Sequence, residues 1–493
     1  MSIRIFIFLF TTLLLSSCSV GPNYEKPCID IPEKYKEAPP GWKMASPCDE
    51  QDRGAWWKVF NDAQLNALEE RVNISNQNIK VAIAQYRQAL ALVDQARAAY
   101  FPTLMGSGSV TRQKTSSSRN ISSTSVGVIP SGSQSNPFTE YLVSLNAAWE
   151  PDLWGSVRRA VESSRANAQA SAAQLALMRL SMQGSLAQTY FEWRAAYTTQ
   201  KLLEDTVIAY KKFLQLTKNR YKAGVAARLD VIQAETQLQT AEAEVLDNQI
   251  PLAQYEHAIA VLVGEPPACF ALSRVSLAMK PPIIPLQVPS MLLERRPDVA
   301  SAERQVAAAN ARIGVAIAAY FPSLNLSATG GYDSTHLNKL FTKPAQFWSL
   351  GAQLAETLFD GGLRKANVKV AYAQYDQMVA TYRQTVLAAF QDVEDNLVAL
   401  HQLKAEVLVQ NAAVKNAELA LKILVNRYKS GIAAYMDVIT AQNTLYTAQQ
   451  TAINIVGREM VSAVGLIKSL GGGWGKCNLK NSAECPRNCI YAY

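Results

Sequence analysis

From Asn61 onward, apolar residues recur at Leu65, Leu68, Val72, Ile79, Ile83, Tyr86, Leu90 and Val93. Gaps of three, four and seven are the seam of a coiled coil, so a helix is predicted from an Asn61 N-cap to just before Phe101-Pro102. After Pro322 the period changes to two: Leu324, Leu326, Ala328, Gly330 and Tyr332 alternate with Ser323, Asn325, Ser327, Thr329 and Gly331. Trp348, Leu350, Ala352 and Leu354 alternate in the same way, as do Tyr141, Val143, Leu145, Ala147 and Trp149, while residues 102–112 do so more weakly. Four strands are predicted, at about 102–112, 138–150, 322–332 and 346–358, each with one apolar face and aromatic residues near its ends. From Gly155 to about Lys222 and from Gly361 to about Lys429 the chain is Ala-rich, helical in pattern and free of proline. Each such helix would reach roughly 100 Å. Gly224 and Gly431 mark turns into return helices at about Leu229–Val263 and Met436–Leu470.

The chain also contains itself twice. Ala98-Ala99-Tyr100-Phe101-Pro102-Thr103-Leu104 returns as Ala318-Ala319-Tyr320-Phe321-Pro322-Ser323-Leu324, and Asn219–Ile232 returns as Asn426–Ile439 with ten of fourteen residues identical. Two diverged copies of one long unit read as half of a cylinder built by repetition. The expected organisation is a signal peptide at 1–17, an extended arm at 18–60, a first repeat at 61–270, a second at 271–475 and a Cys-containing tail at 476–493.

The N-terminus suggests where such a cylinder sits. Arg4 precedes an apolar run from Ile5 to Leu15 and then Ser16-Ser17-Cys18, a secretory signal ending in a lipobox, which makes Cys18 the expected lipidated first residue of the mature chain. Ser19 after it, rather than Asp, favours the outer membrane. No later apolar run is long enough for a membrane helix, so any crossing falls to the strands. Four strands cannot close a barrel, and the chain must therefore oligomerise.

Composition narrows the chemistry. The 493 residues carry a formal charge of +8, but Lys and Arg are scattered among Glu and Asp with no basic run, which argues against nucleic acid. No convergent nucleophile, base, metal or cofactor set is recognisable, so an enzyme is not expected. His257, His336 and His401 lack ligand spacing. Beyond Cys18, six cysteines remain at Cys28, Cys48, Cys269, Cys477, Cys485 and Cys489, an even number consistent with disulfides in an oxidising compartment. Cys28 and Cys48 share the extended arm and are the expected pair, worth roughly 3 kcal/mol. A trimeric coiled-coil envelope lipoprotein, serving as adhesin or spacer, would share the anchor and the long helices. It would have no use for alternating strands.

Several strings together resemble one family, the TolC-like outer-membrane efflux proteins, in their OprM/NodT lipoprotein branch. They are Cys18-Ser-Val-Gly-Pro-Asn-Tyr24, Trp56-Trp57, Trp154-Gly155 with Arg158-Arg159, Leu293-Glu294-Arg295-Arg296-Pro297-Asp298 with Ala302-Glu303, the two Tyr-Phe-Pro repeats, and Gly471-Gly472-Gly473-Trp474. The resemblance implies a homotrimer, mainly α with a transmembrane β part: a twelve-stranded outer-membrane barrel, a periplasmic tunnel of twelve helices and an equatorial belt. It further implies a passive duct exporting drugs or other small molecules, working with a periplasmic adaptor and an inner-membrane transporter of the resistance-nodulation-division type. The same fold could instead serve protein secretion. Glu294, Arg295, Arg296 and Asp298 are expected to form a structural ion network at the belt. The two turns, with Tyr221, Gly224 and Asp230 in one and Tyr428, Gly431 and Asp437 in the other, are expected to form the periplasmic gate and adaptor contact. Each Asp stands where the family places constricting acids, each is also suited to capping its return helix, and the tyrosines would latch neighbouring helices. Ala433 and Thr440 depart from relatives that use an Arg and a second Asp, which predicts a simpler latch.

Overall fold

The computed structural model describes residues 20–32, 35–37, 53–114, 137–277 and 295–472. The signal segment, Cys18, Cys48, Glu294, most of the loop between the first two strands and the tail lie outside the described residues. In chain order the elements are α1 (Ala63–Ser75), α2 (Gln77–Ala98), β1 (Thr103–Gln113), β2 (Phe138–Trp149), α3 (Ser156–Lys222), α4 (Arg228–Val263), α5 (Pro297–Ala318), β3 (Ser323–Ser334), β4 (Gln346–Ala355), α6 (Leu363–Lys429) and α7 (Tyr435–Ser469). They fall into two compact units, one of Met1–Lys26, Ala89–Asn167 and Val306–Met378, the other of Pro27–Gln88, Ala168–Gln305 and Val379–Tyr493. Each unit draws on both sequence repeats, so the compact divisions cut across the repeat boundary.

The first unit is organised by one antiparallel sheet in the order β1-β2-β3-β4. Its junctions with the long helices use matched devices. Asp152 accepts from the backbone N–H groups of Val157 and Arg158 at 3.0 and 2.9 Å and pairs with the Arg158 side chain, while Asp360 accepts from the N–H groups of Gly362 and Arg364 and pairs with Arg364 at 2.7 Å. These carboxylates occupy the positive ends of α3 and α6, where N–H groups have no partner within the helix. The Arg364 side chain and those N–H groups hold the Asp360 carboxyl down at about 2. Trp154 stacks on Phe321 with ring centroids 4.8 Å apart and donates to the Pro322 carbonyl at 2.7 Å, tying the two repeats together beneath the sheet.

The second unit is held by an aromatic core on α3. Tyr190, Phe191 and Trp193 are essentially inaccessible, and Phe60 packs on Phe191 with centroids 4.9 Å apart. Trp56 and Trp57 are buried, and Trp56 donates to Gln183 at 3.2 Å. Truncating one of these rings would cost about 3–5 kcal/mol.

The first helix differs from expectation in two ways. Its N-cap is Asp62, whose side chain accepts from the N–H groups of Gln64 and Leu65, and Asn61 stands outside the helix with φ +50°. Asp62 also receives the Tyr190 hydroxyl at 2.9 Å and an ion pair from the buried Arg194, so cap and core share one carboxylate. The helix then breaks at Asn76, extended at φ −60° and ψ 126°. The Asn76 side chain accepts from the Ile79 N–H at 3.1 Å, starting α2, and donates to the Leu262 carbonyl of α4 at 2.7 Å. Asparagine offers both a donor and an acceptor, so one residue ends a helix, begins the next and anchors both.

Candidate channel wall and helical turns

The strand register sorts the sheet into two chemically distinct faces, because residues paired across antiparallel strands share a side. Leu104 pairs with Ala147, which pairs with Ala328, which pairs with Leu350; Gly106, Leu145, Gly330 and Trp348 form the next row. On this face Leu104, Leu145, Trp348, Leu350 and Leu354 stand exposed, three of them by more than 70%. The opposite face carries a polar row in which the Ser107 and Ser144 hydroxyls are 2.9 Å apart, Asn146 donates to Ser144 at 3.2 Å and Thr329 donates to Asn146 at 3.0 Å. Such a sheet suits a medium that is apolar on one side and wet on the other. Both β1 and β4 are edges, each with an unpaired row of backbone groups.

A profile described as "Outer membrane efflux protein" matches residues 68–265 and 288–472. The chain belongs to the outer membrane efflux protein family. It is 31% identical over 487 residues to the probable efflux pump outer membrane protein TtgC of Pseudomonas putida, covering 97% of this chain and 98% of that protein. It is 29% identical over 480 residues to the pyoverdine export outer membrane protein OpmQ of Pseudomonas aeruginosa, covering 96% and 98%. Among solved structures, the outer-membrane channel OprN superposes with a TM-score of 0.84 at 28% identity, covering 93% of this chain and all of that one.

In this family of outer-membrane ducts the two helical turns gain interest, and here the repeats have diverged in use. Gly224 and Gly431 both adopt positive φ, +73° and +78°, as the reversal into α4 and α7 requires. Asp437 is exposed and accepts from the Ala434 N–H at 3.1 Å, capping α7. Asp230 holds the equivalent third position of α4, behind N-cap Ala227. Tyr221 is exposed by 46%, whereas Tyr428 is 3% exposed and packs against Tyr435, Val438 and Ala234. Arg220 covers that cluster: its guanidinium lies 4.7 Å from the Tyr428 ring centroid and donates to the Lys429 carbonyl at 2.9 Å. One arginine thus joins the α3–α4 turn to the α6–α7 turn. Burial, with Tyr428, Tyr210 and Asp230 nearby, raises the Tyr435 hydroxyl pKa above its ordinary value. Within one protomer, then, Tyr428 is buried beneath Arg220 while its duplicate Tyr221 stays exposed. The signal for Arg220 was present, since it precedes Tyr221 in the duplicated Asn-Arg-Tyr-Lys string. Five bases, Arg220, Lys222, Arg228, Arg427 and Lys429, stand within ten residues of one or the other acid along the chain. Thr440 turns its hydroxyl back to the Met436 carbonyl at 2.9 Å.

Arg296 is the other concentrated charge. It donates to Asp298 at 2.6 and 3.0 Å, to Asp392 of α6 at 3.1 Å and to the Ser469 carbonyl at the end of α7 at 3.2 Å. Burial alone would lower its pKa, but the two carboxylates outweigh that effect and the net shift is upward. Fork geometry lets one guanidinium join three elements, which a lysine could not do. Cys28 and Cys269 are exposed and unbridged among the described residues. No group of three or more potential metal ligands occurs among the described residues.

Proposed function

We propose that three copies of this chain close a twelve-stranded barrel in the outer membrane and form the passive duct of a tripartite efflux pump. The observation that carries this reading is the sheet: one apolar face, one hydrogen-bonded polar face and two open edges, a form that is complete only when further copies pair β4 of one protomer with β1 of the next. Lipid on Cys18 supplements the barrel as an anchor, because one or two acyl chains hold less firmly than a closed barrel. Small molecules enter from an inner-membrane resistance-nodulation-division transporter through a periplasmic adaptor, which contacts the turns at Tyr221–Asp230 and Tyr428–Asp437. Those turns are the gate, and the pump, rather than the duct, selects the cargo. The Arg296 network serves as a structural belt.

The test is single-channel recording of the purified trimer in planar bilayers, with and without its adaptor. A low resting conductance that rises when adaptor is added is expected. Asp437→Ala should raise resting conductance and shift the reversal potential toward anions, since three negative charges leave the mouth together. Absence of any channel from correctly folded trimer would overturn the proposal.

A further inference from the structure

The β3–β4 loop combines lysine ammonium groups with an aromatic shelf at the far end of the sheet from the helix junctions. Tyr332, opposite Gln346, belongs to the apolar face of the sheet, and Trp348 occupies the same face one diagonal step away, opposite Gly330. Phe341 reaches back from the loop to this face, its ring 5.4 Å from Tyr332 in an edge-on contact. Phe341 and Trp348 are nevertheless 72% and 74% exposed, and Leu337 is 64% exposed. An aromatic girdle of this kind sits at the boundary between hydrocarbon and headgroups.

The loop is ordered by its own hydrogen bonds. Leu340 is 4% exposed and pins it down. Lys339 closes one short turn and Lys343 opens another, while Thr342 donates to the Lys339 carbonyl through both its N–H, at 3.2 Å, and its hydroxyl, at 2.7 Å. Both lysines are exposed, and neither makes an ion pair with a carboxylate among the described residues. The loop thus carries two exposed ammonium groups on either side of Phe341, whose ring packs on Tyr332 of the sheet's apolar face. That pairing fits an amphiphile with anionic phosphate above an acyl chain, and it fits neither a neutral lipid nor a purely apolar partner.

We propose that this loop is a binding site for a phosphorylated lipid of the outer leaflet: Lys339 and Lys343 hold the phosphate, and Tyr332, Phe341 and Trp348 line the first part of the acyl chain. The proposal rests on the sheet spanning the membrane. Bound lipid would fasten the β3–β4 hairpin, and thereby the outer rim of the barrel, in one position in the membrane.

Wild-type trimer would be placed in nanodiscs of phosphatidylcholine with a minor fraction of bis-phosphorylated lipid A, and the lipid retained per trimer counted by native mass spectrometry after transfer to detergent. Lys339→Ser and Lys343→Ser should each lower retention of the phosphorylated lipid roughly fivefold, and the double variant about 25-fold. Lys→Arg replacements at both positions should retain it, which controls for folding of the loop. Phe341→Ser should weaken retention without abolishing the preference for phosphate. Equal retention by wild type and double variant would overturn the proposal, as would full displacement of the lipid by millimolar inorganic phosphate, which would mark a site for free anions. Failure of folded wild-type trimer to enter the discs would overturn the membrane reading itself, whereas insertion without lipid selectivity would overturn only the loop assignment.

Discussion

Glu69 is the residue whose replacement is expected to stabilise the protein, and the gain should depend on pH. It lies on α1 with no accessible surface, and neither carboxyl oxygen has a hydrogen-bond partner among the described residues. Asn66 and Asn73 share its helix face, three residues before and four after, and Asn73 accepts from Gln183 of α3 at 2.8 Å, so this face is turned to α3. Burial there pushes the Glu69 carboxyl well above the ordinary carboxylate range. Below the ordinary carboxyl pKa both folded and unfolded chains carry the proton, and the group has no pH-dependent effect. Above it the unfolded chain releases the proton while the folded chain keeps it, so stability falls by about 1.4 kcal/mol per pH unit per protomer until the folded carboxyl also ionises. Glu69→Gln keeps the shape and carries no titrating proton. Its advantage should be absent below the ordinary carboxyl range and should grow as the pH rises above it, read as a widening gap between the two proteins in the midpoint of trimer loss on heating. Glu69→Leu, which buries no polar group, should exceed it. The assay is thermal loss of purified trimer at a fixed scan rate across pH 4–8, since unfolding of such an assembly is under kinetic control. A lower midpoint for the Gln variant at pH 7 would refute the reasoning, because it would mean that the carboxylate is ionised and held by a cation from another chain. Parallel pH profiles for wild type and variant would refute it equally.

Three further outcomes are expected. Gly314→Ala should destabilise by about 1–3 kcal/mol and expose the arm to protease, because an added Cβ would stand 2.8 Å from the Arg159 side chain and 2.9 Å from the Val20 carbonyl; melting and limited proteolysis check this. Peptide mapping without reduction should recover Cys28 joined to Cys48, with reduction lowering stability by about 3 kcal/mol; free thiols at both positions would rule the bridge out. Arg220→Ala should raise resting conductance while Arg427→Ala leaves it near wild type, since only Arg220 covers Tyr428 and reaches the neighbouring turn; equal effects in the same bilayer recordings would count against a one-arginine tie.

Much of this architecture was legible in the hydrophobic pattern. Strands of period two and proline-free helices of 67 residues leave few alternatives once both occur twice, and the observed ends of α3, α4, α6 and α7 fall within a few residues of the expected ones. What pattern could not resolve were junctions decided by individual polar side chains. Coiled-coil spacing continues smoothly through Asn76, yet the helix breaks there because the asparagine side chain competes for backbone groups on two sides. Asn61 and Asp62 are both good caps, and the choice between them depends on Tyr190 and Arg194, more than a hundred residues away. Glu69 was invisible for the same reason. In sequence it reads as an ordinary surface acid beside Glu70, and only the packing of α1 on α3 shows that one of the two neighbours is buried.

The turns show why duplication makes a poor guide to detail even where it is an excellent guide to fold. Asn-Arg-Tyr-Lys occurs in both repeats with the same backbone reversal, yet Tyr221 faces solvent and Tyr428 is enclosed. The difference follows from position: in a pair of adjacent helical hairpins only one copy of a side chain can lie in the seam between them, and its duplicate points elsewhere. Tyr428 took the seam with Tyr435, which in the first repeat is Arg228, a residue that could not be enclosed in the same apolar cluster. Once that exchange had occurred, Arg220 could use the buried ring as a platform and the Lys429 carbonyl as an acceptor. Arg427, facing the equivalent of neither, was left with no such role among the described contacts. A duct opened and closed at this mouth would therefore pivot on one side of each protomer, and the two halves of a repeated sequence would carry different parts of the motion.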